Sequence, residues 1–134
     1  MRVLISGASG LIGTELQKQL SDLGHTPIIL VRRTPRKSNE VFWDPETLTL
    51  DAEVLESIDA VINLAGATTG KLPWTREYKK ELISSRINST RTLVMAIAKA
   101  KNALECSSAV LHPVSMATAQ THCLPKVLLK VEGF

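Results

Sequence analysis

Aromatic side chains are scarce: Phe, Trp and Tyr together make up 4% of the 134 residues. A surface that stacks nucleic-acid bases needs several such rings, so that class of partner is disfavoured. The two cysteines, Cys106 and Cys123, cannot build a disulfide framework, and no Cys/His spacing fits a zinc site. No apolar run reaches the ~18 residues of a membrane span. Met1 to Ile5 runs straight into strand-like sequence, without the charged region, apolar region and cleavage site of a secretory signal. Charge of one sign is also lacking: 16 Lys and Arg against 13 Asp and Glu leave a net +3, too little to define a nucleic-acid protein. These absences lead to the expectation of a single cytoplasmic domain with no nucleic-acid, membrane or metal partner. Hydrophobic residues at 44% and charged residues at 22% suffice for a buried core.

The glycines are unevenly placed. Arg2 to Ser6 forms a short β-branched run, and Gly7-Ala8-Ser9-Gly10-Leu11-Ile12-Gly13 follows it. Leu11, Ile12, Leu16, Leu20 and Leu23 then recur at helical spacing until Gly24, and Pro27 to Val31 reads as a second buried strand. Strand, glycine turn, helix and strand within about thirty residues make a βαβ unit, whose parallel strands need a crossover of this kind. Further on, Arg32 to Asn39 is a basic polar loop and Val41-Phe42-Trp43 a short strand candidate, with a turn at Asp44-Pro45. A short helix is expected over 51–58, and the clearest later strand is Asp59 to Gly66. Thr68 to Lys71 reads as a loop. Pro73 suits the first turn of a helix carrying Trp74, Tyr78, Leu82, Ile83 and Ile87, and the pattern resumes from Leu93 to about Lys101. The predicted fold is α/β, a Rossmann-like doubly wound parallel sheet.

A phosphate-binding turn must bend tightly, approach its anion closely and direct the free N–H groups of a helix N-terminus at it. Gly7 supplies the bend, Gly10 clears the approach, and Gly13 lets the helix pack on the strand. The spacing is Gly-x-x-Gly-x-x-Gly, which is also compatible with an ordinary strand-to-helix turn; its place between the first strand and first helix favours the phosphate. Where an NAD-binding protein carries an acid after the second strand, this chain has Arg32 and Arg33, with Arg36 and Lys37 behind. A guanidinium there pairs with the 2′-phosphate of NADP, so NADP is expected over NAD, and a Ser9 hydroxyl can add a contact. A solvated basic loop is the alternative. The small Ala65 and Gly66 after Leu64 would let the dinucleotide pass over the end of the later strand.

These stretches resemble the extended short-chain dehydrogenase/reductase superfamily, and within it the epimerase-like branch of the NAD-dependent epimerase/dehydratase family. The resemblance rests on Ile5 to Gly13, Phe42-Trp43-Asp44-Pro45, Asp59 to Gly66, Trp74-Thr75 and Ser85 to Arg91, and covers residues 1 to about 101. It implies a Rossmann-type NAD(P) domain followed by a smaller substrate domain in a chain about twice as long. It also implies that Gly7, Gly10, Ile12 and Gly13, with Leu11 beside them, cradle the pyrophosphate, that Arg32 contacts the NADP phosphate, and that Leu64 to Gly66 line the cofactor groove. Asn88 matches a helix asparagine of structural or relay role. The superfamily's Tyr-x-x-x-Lys pair is missing: Tyr78 is the only tyrosine, and Leu82 stands where the lysine would be. No catalytic residue is therefore assigned.

The expected division is 1–104, an incomplete NAD(P)-binding domain truncated after about its fifth strand, and 105–134, an atypical tail with no clean period. Read one nucleotide back, the tail's codons permit Ser-Gly-Val-Tyr-Gly-Asp-x-x-Asp-x-Leu, similar to the family's own segment there. The expectation is that translation leaves its frame at about residues 103–106 and ends at a premature stop. Ser107 and Ser108, near the family's serine, then have no role. The function expected is the NADP(H)-binding portion of an epimerase-like oxidoreductase that acts, at full length, on a nucleotide sugar or similar small molecule. A non-catalytic NADP-binding sensor and an inactive truncated product are the alternatives.

Overall fold

A computed structural model describes residues 1–67 and 73–100. The expectations for Thr68 to Lys71 and for the tail, with its shifted frame, serines and cysteines, lie outside the described residues.

Five strands form one sheet: β1 (Arg2–Ser6), β2 (Thr26–Val31), β3 (Glu40–Asp44), β4 (Thr49–Leu50) and β5 (Ala60–Asn63), in the order β4-β3-β2-β1-β5. β1 lies between β2 and β5, parallel to both, and β3 runs parallel to β2. Helix α1 (Leu11–Asp22) connects β1 to β2, and a 3-10 helix (Ala52–Ser57) precedes β5. Helix α2 (Arg76–Lys99) closes the described chain.

The two-residue period of the strands divides the core between two faces. Val3, Ile5 and Ile62 pack with Leu20 of α1. Leu4, Ile28, Leu30 and Val61 pack on the other face with Leu93 and Ala96 of α2 and with Leu55 of the 3-10 helix. Helices thus cover both faces, which is the doubly wound arrangement. Trp43 is buried in the α2-side core and also borders the cleft at the carboxyl ends of the strands.

Three sequence expectations need correction. α2 is one uninterrupted helix of 24 residues, and it starts at Arg76 rather than at Pro73. The Thr75 hydroxyl accepts the Tyr78 N–H at 3.2 Å and so sets the start, which leaves Pro73 and Trp74 ahead of the first turn. The sheet also has an antiparallel strand, β4, which pairs with β3 through Trp43 and Asp44. Its hairpin is built by the Asp44 carboxylate, which accepts from the Glu46 N–H and the Thr47 hydroxyl, and by Leu48 at φ 55°. Finally, the first-helix leucines do not share one buried face. Leu11 is 85% exposed and Ile12 50%, while Gly13 and Leu20 are buried.

Candidate functional site

β2 and β5 flank β1, and the chain leaves β1 toward one side and reaches β5 from the other. This reversal of strand order opens a crevice at the carboxyl ends of the strands, where ligands of open α/β sheets bind. A cleft of about 1080 Å³ lies there, lined by the β1–α1 turn, the loop after β2, the end of β5 and one side of α2.

The β1–α1 turn is fixed by backbone crowding. Gly7 sits at φ +69°, and a Cβ there would lie 2.7 Å from both the carbonyl carbon and oxygen of Leu64. Its missing side chain therefore allows the turn and also lets it rest against the chain leaving β5. A Cβ on Gly13 would lie 2.6 Å from Ala8 Cα, so Gly13 seats α1 on the turn from behind. Among the described residues, only the Gly7 oxygen comes near a Cβ placed on Gly10, at 3.5 Å. Thr14 N–H donates to Gly10 O at 2.9 Å to close the first helical turn, leaving the amides ahead of it directed out of the helix end. No side chain caps that end and no acid stands in the first turn, so its partial positive charge is uncompensated. Gln17 braces the turn by donating to Ala8 O at 2.7 Å and Gly13 O at 3.1 Å.

Next to the cleft-lining Gly7, Leu64 and Ser89 is a buried polar latch that the sequence reading did not single out. Ser6 Oγ donates to Asn63 Oδ1 at 2.5 Å and accepts the N–H groups of Leu64 and Ala65 at 3.2 and 3.3 Å. Asn63 Oδ1 also accepts from Ala65 N–H at 3.2 Å, and its Nδ2 donates to Ser89 Oγ at 3.3 Å and Thr90 Oγ1 at 3.2 Å. The Ser6 hydroxyl and the Asn63 amide thus use their full bonding capacity. Together they hold the ends of β1 and β5 and the middle of α2 in one geometry. The signal for this was present in the period. Ser6 continues the Leu4 face and Asn63 the Val61 face, while Ser89 follows Leu82 and precedes Leu93 and Ala96 at helical spacing.

The predicted residues fall into three groups. Gly7, Ser9, Gly10, Leu64, Ala65 and Gly66 line the cleft together. Leu11, Ile12 and Gly13 form the first turn of α1 and do not line the cleft; Gly13 is packed on Ala8, while Leu11 and Ile12 are exposed. Arg32 and Arg33 line the end beyond β2, but in different states. Arg33 donates from both terminal nitrogens to Glu40 at 2.8 Å. The Arg33 guanidinium, then the Arg36 N–H, lower the Glu40 carboxyl to about 2, and the same pairing raises Arg33. Arg32 donates no hydrogen bond among the described residues. Asp44 is lowered by the Thr47 hydroxyl and the Glu46 N–H, and to a smaller degree by the charge of Arg32.

On the α2 wall, Asn88 lines the cleft beside Glu81, Ser84 and Ser85. Ser85 Oγ accepts the Ala67 N–H at 3.0 Å and so steers the chain leaving β5 along the helix. Tyr78 is 8% exposed, and Leu82 is buried next to it on the same helix. No group of three His, Cys, Asp or Glu residues among the described residues is placed to hold a metal, and no described helix is long and apolar enough to cross a membrane.

Uncapped helix amides, an open glycine at their mouth and an unpartnered guanidinium beyond them suit an extended anionic ligand such as a dinucleotide. Fold and cleft define a Rossmann-like α/β module. Residues 3–123 match the model of the NAD dependent epimerase/dehydratase family, and the chain belongs to that family. It is 39% identical over 98 residues to an epimerase family protein of Mycobacterium leprae, covering 73% of this chain and 32% of that protein. It is 40% identical over 102 residues to human epimerase family protein SDR39U1, covering 75% of this chain and 33% of that one. Among solved structures it resembles human SDR39U1 (isoform 2) with NADPH, at 32% identity and a TM-score of 0.67 over 81% of this chain and 36% of that one. It also resembles MoeE5 in complex with UDP-glucose and NAD, at 27% identity and a TM-score of 0.61, again over 81% of this chain and 36% of that one. The chain spans about a third of the length of the curated relatives it matches.

Proposed function

We propose that this chain is the NADP(H)-binding portion of an epimerase-like oxidoreductase whose complete form acts on a nucleotide sugar or similar small molecule. The observation that carries the reading is the uncapped α1 N-terminus behind Gly10, where nothing but the Gly7 oxygen approaches. In this reading Gly7, Gly10, Ile12 and Gly13 hold the pyrophosphate, Leu64 to Gly66 support the adenosine side, and Arg32, with the Ser9 hydroxyl, meets the 2′-phosphate. A bound nicotinamide supplies or accepts hydride. The residues of this chain bind and orient it, and the Ser6–Asn63 latch holds the cleft-lining Leu64 and Ala65 backbone. The NADPH of the SDR39U1 structure supports the phosphorylated coenzyme, and the UDP-glucose of the MoeE5 structure supports the sugar class.

Titration of the full 134-residue chain with NADPH and NADH tests this: saturable binding with NADPH preferred is expected, and no binding of either would overturn it. A second reading, a non-catalytic NADP-binding module, is favoured by Tyr78, which is buried and followed at the fourth position by Leu82. Binding without turnover in a complete homologue would select it. The division near residue 104 is part of the same proposal. Pairwise likeness to the curated relatives above spans 98 to 102 residues, whereas the family match runs to residue 123. The coding DNA, read in all frames past codon 100, decides whether the tail is in frame.

A further inference from the structure

Arg32, Arg33 and Lys37 stand around the same end of the cleft, yet they are not equivalent. Arg33 presents its planar fork to Glu40, with two nitrogens at 2.8 Å from two carboxylate oxygens, and is thereby neutralised. Glu40 is the first residue of β3, in register with Ile29 of β2, and its side chain is only 6% exposed. The same carboxylate accepts the Arg36 N–H at 2.7 Å, and the Glu40 N–H donates to Lys37 O at 3.1 Å. One acid therefore gathers the loop that follows Arg32 onto the edge of the sheet. Arg32 makes no such bond, and the acid under its influence, Asp44, is already satisfied by Thr47 and Glu46. A carboxylate beside a phosphate subsite repels the ligand unless a cation offsets it, and here the Arg33 guanidinium does so.

We propose that discrimination between NADPH and NADH is divided between Arg32, which meets the 2′-phosphate, and Glu40, a positioning residue that acts through Arg33 to hold the loop that presents Arg32. This rests on the dinucleotide reading above and deepens it. Arg33, adjacent in sequence and equally basic, is then a brace and not a phosphate ligand.

The sign of one substitution separates the two roles. If Arg33 were the phosphate ligand, Glu40 would compete for it, and Glu40→Gln would release it and tighten NADPH. If Glu40 is the positioning residue, the same change loosens the loop and weakens NADPH. The experiment titrates the full chain with NADPH, NADH and 2′,5′-ADP, using Arg32→Ala, Arg33→Ala, Arg33→Lys, Glu40→Gln and the Arg33→Ala/Glu40→Gln pair. Arg32→Ala is expected to weaken NADPH about 10-fold or more, as loss of a charge-assisted bond does. Glu40→Gln and Arg33→Ala each weaken it roughly 3- to 10-fold, and the pair is no worse than the poorer single change, because both break one fork. Arg33→Lys fails to restore binding, since an ammonium cannot bridge both oxygens. NADH affinity stays within about twofold throughout, which a general loss of folding would not allow. Tighter NADPH binding by Glu40→Gln, full affinity in Arg33→Lys, or an unchanged NADPH-to-NADH ratio in Arg32→Ala would each overturn the division of roles while leaving the cofactor site intact. A wild-type chain that binds neither dinucleotide overturns the site itself, and this division with it.

Discussion

Gly7 and Gly10 are three residues apart, yet an added methyl group meets opposite surroundings at the two positions. At Gly7 it adopts a left-handed backbone and drives into the Leu64 carbonyl, so Gly7→Ala is expected to cost at least about 2 kcal/mol. At Gly10 it points into open space, and Gly10→Ala should stay within about 1 kcal/mol of wild type while weakening dinucleotide binding. Urea unfolding at constant slope, paired with a cofactor titration, checks both. Asn63 is a third case. Asn63→Ala strips partners from buried Ser6 and Ser89 and from Thr90, so a loss of about 2–3 kcal/mol is expected in the same unfolding assay. Glu40 gives a pH dependence of known sign. Its folded carboxyl is lowered to about 2, so its contribution is complete above the ordinary carboxylate range and disappears as pH falls from there toward 2. Melting temperatures measured across that window should fall less steeply for Glu40→Gln than for wild type; equal slopes would contradict the pairing.

At the scale of elements, the two helices are finished differently. α2 has a Thr75 cap, Glu77 in its first turn and Lys99 in its last, all complementary to its dipole. α1 has none of these at its N-terminus. Leu11 is exposed there, so Leu11→Glu is expected to stabilise the free protein by about 0.3–1 kcal/mol and to weaken the dinucleotide by repulsion, a trade visible as a higher melting temperature with a poorer titration. The α2 half of this contrast was missed in the sequence, where Pro73 outweighed the Thr75 hydroxyl as the start signal. β1, β2, β3 and β5 were legible from their apolar runs, although in β3 only Trp43 is buried and Phe42 is exposed. β4 was not legible, because two residues carry no period and the hairpin depends on Asp44 side-chain bonds and on Leu48 at a positive φ. Within the site, the glycines announced themselves by spacing. The Ser6–Asn63 latch did not, because polar residues at strand ends look like the beginnings of loops. The Arg33–Glu40 fork joins the loop after β2 to the first residue of β3 and could not be read from a run of basic residues.

Across the whole molecule, the buried clusters lie on the two faces of the sheet, and α2 meets the sheet with Leu82, Ser89, Leu93 and Ala96. Its outward side carries Ile83, Ile87 and Val94, all exposed. Contiguous apolar surface of this kind drives association, so Ile83→Lys combined with Ile87→Lys is expected to raise the protein concentration at which light scattering reports self-association. Scattering that is the same in both proteins would locate the sticky surface elsewhere.

Ser6 and Asn63 are 57 positions apart in the chain. This junction therefore has no local precursor: it requires the first and fifth strands to pair, an entropically demanding closure. A molecule filling the groove would favour that closed pairing by mass action. Its arrival should be recorded as slower deuterium uptake at the amides of Leu64 and Ala65, a kinetic signature of occupancy written where the chain's two distant ends of the fold are knotted together.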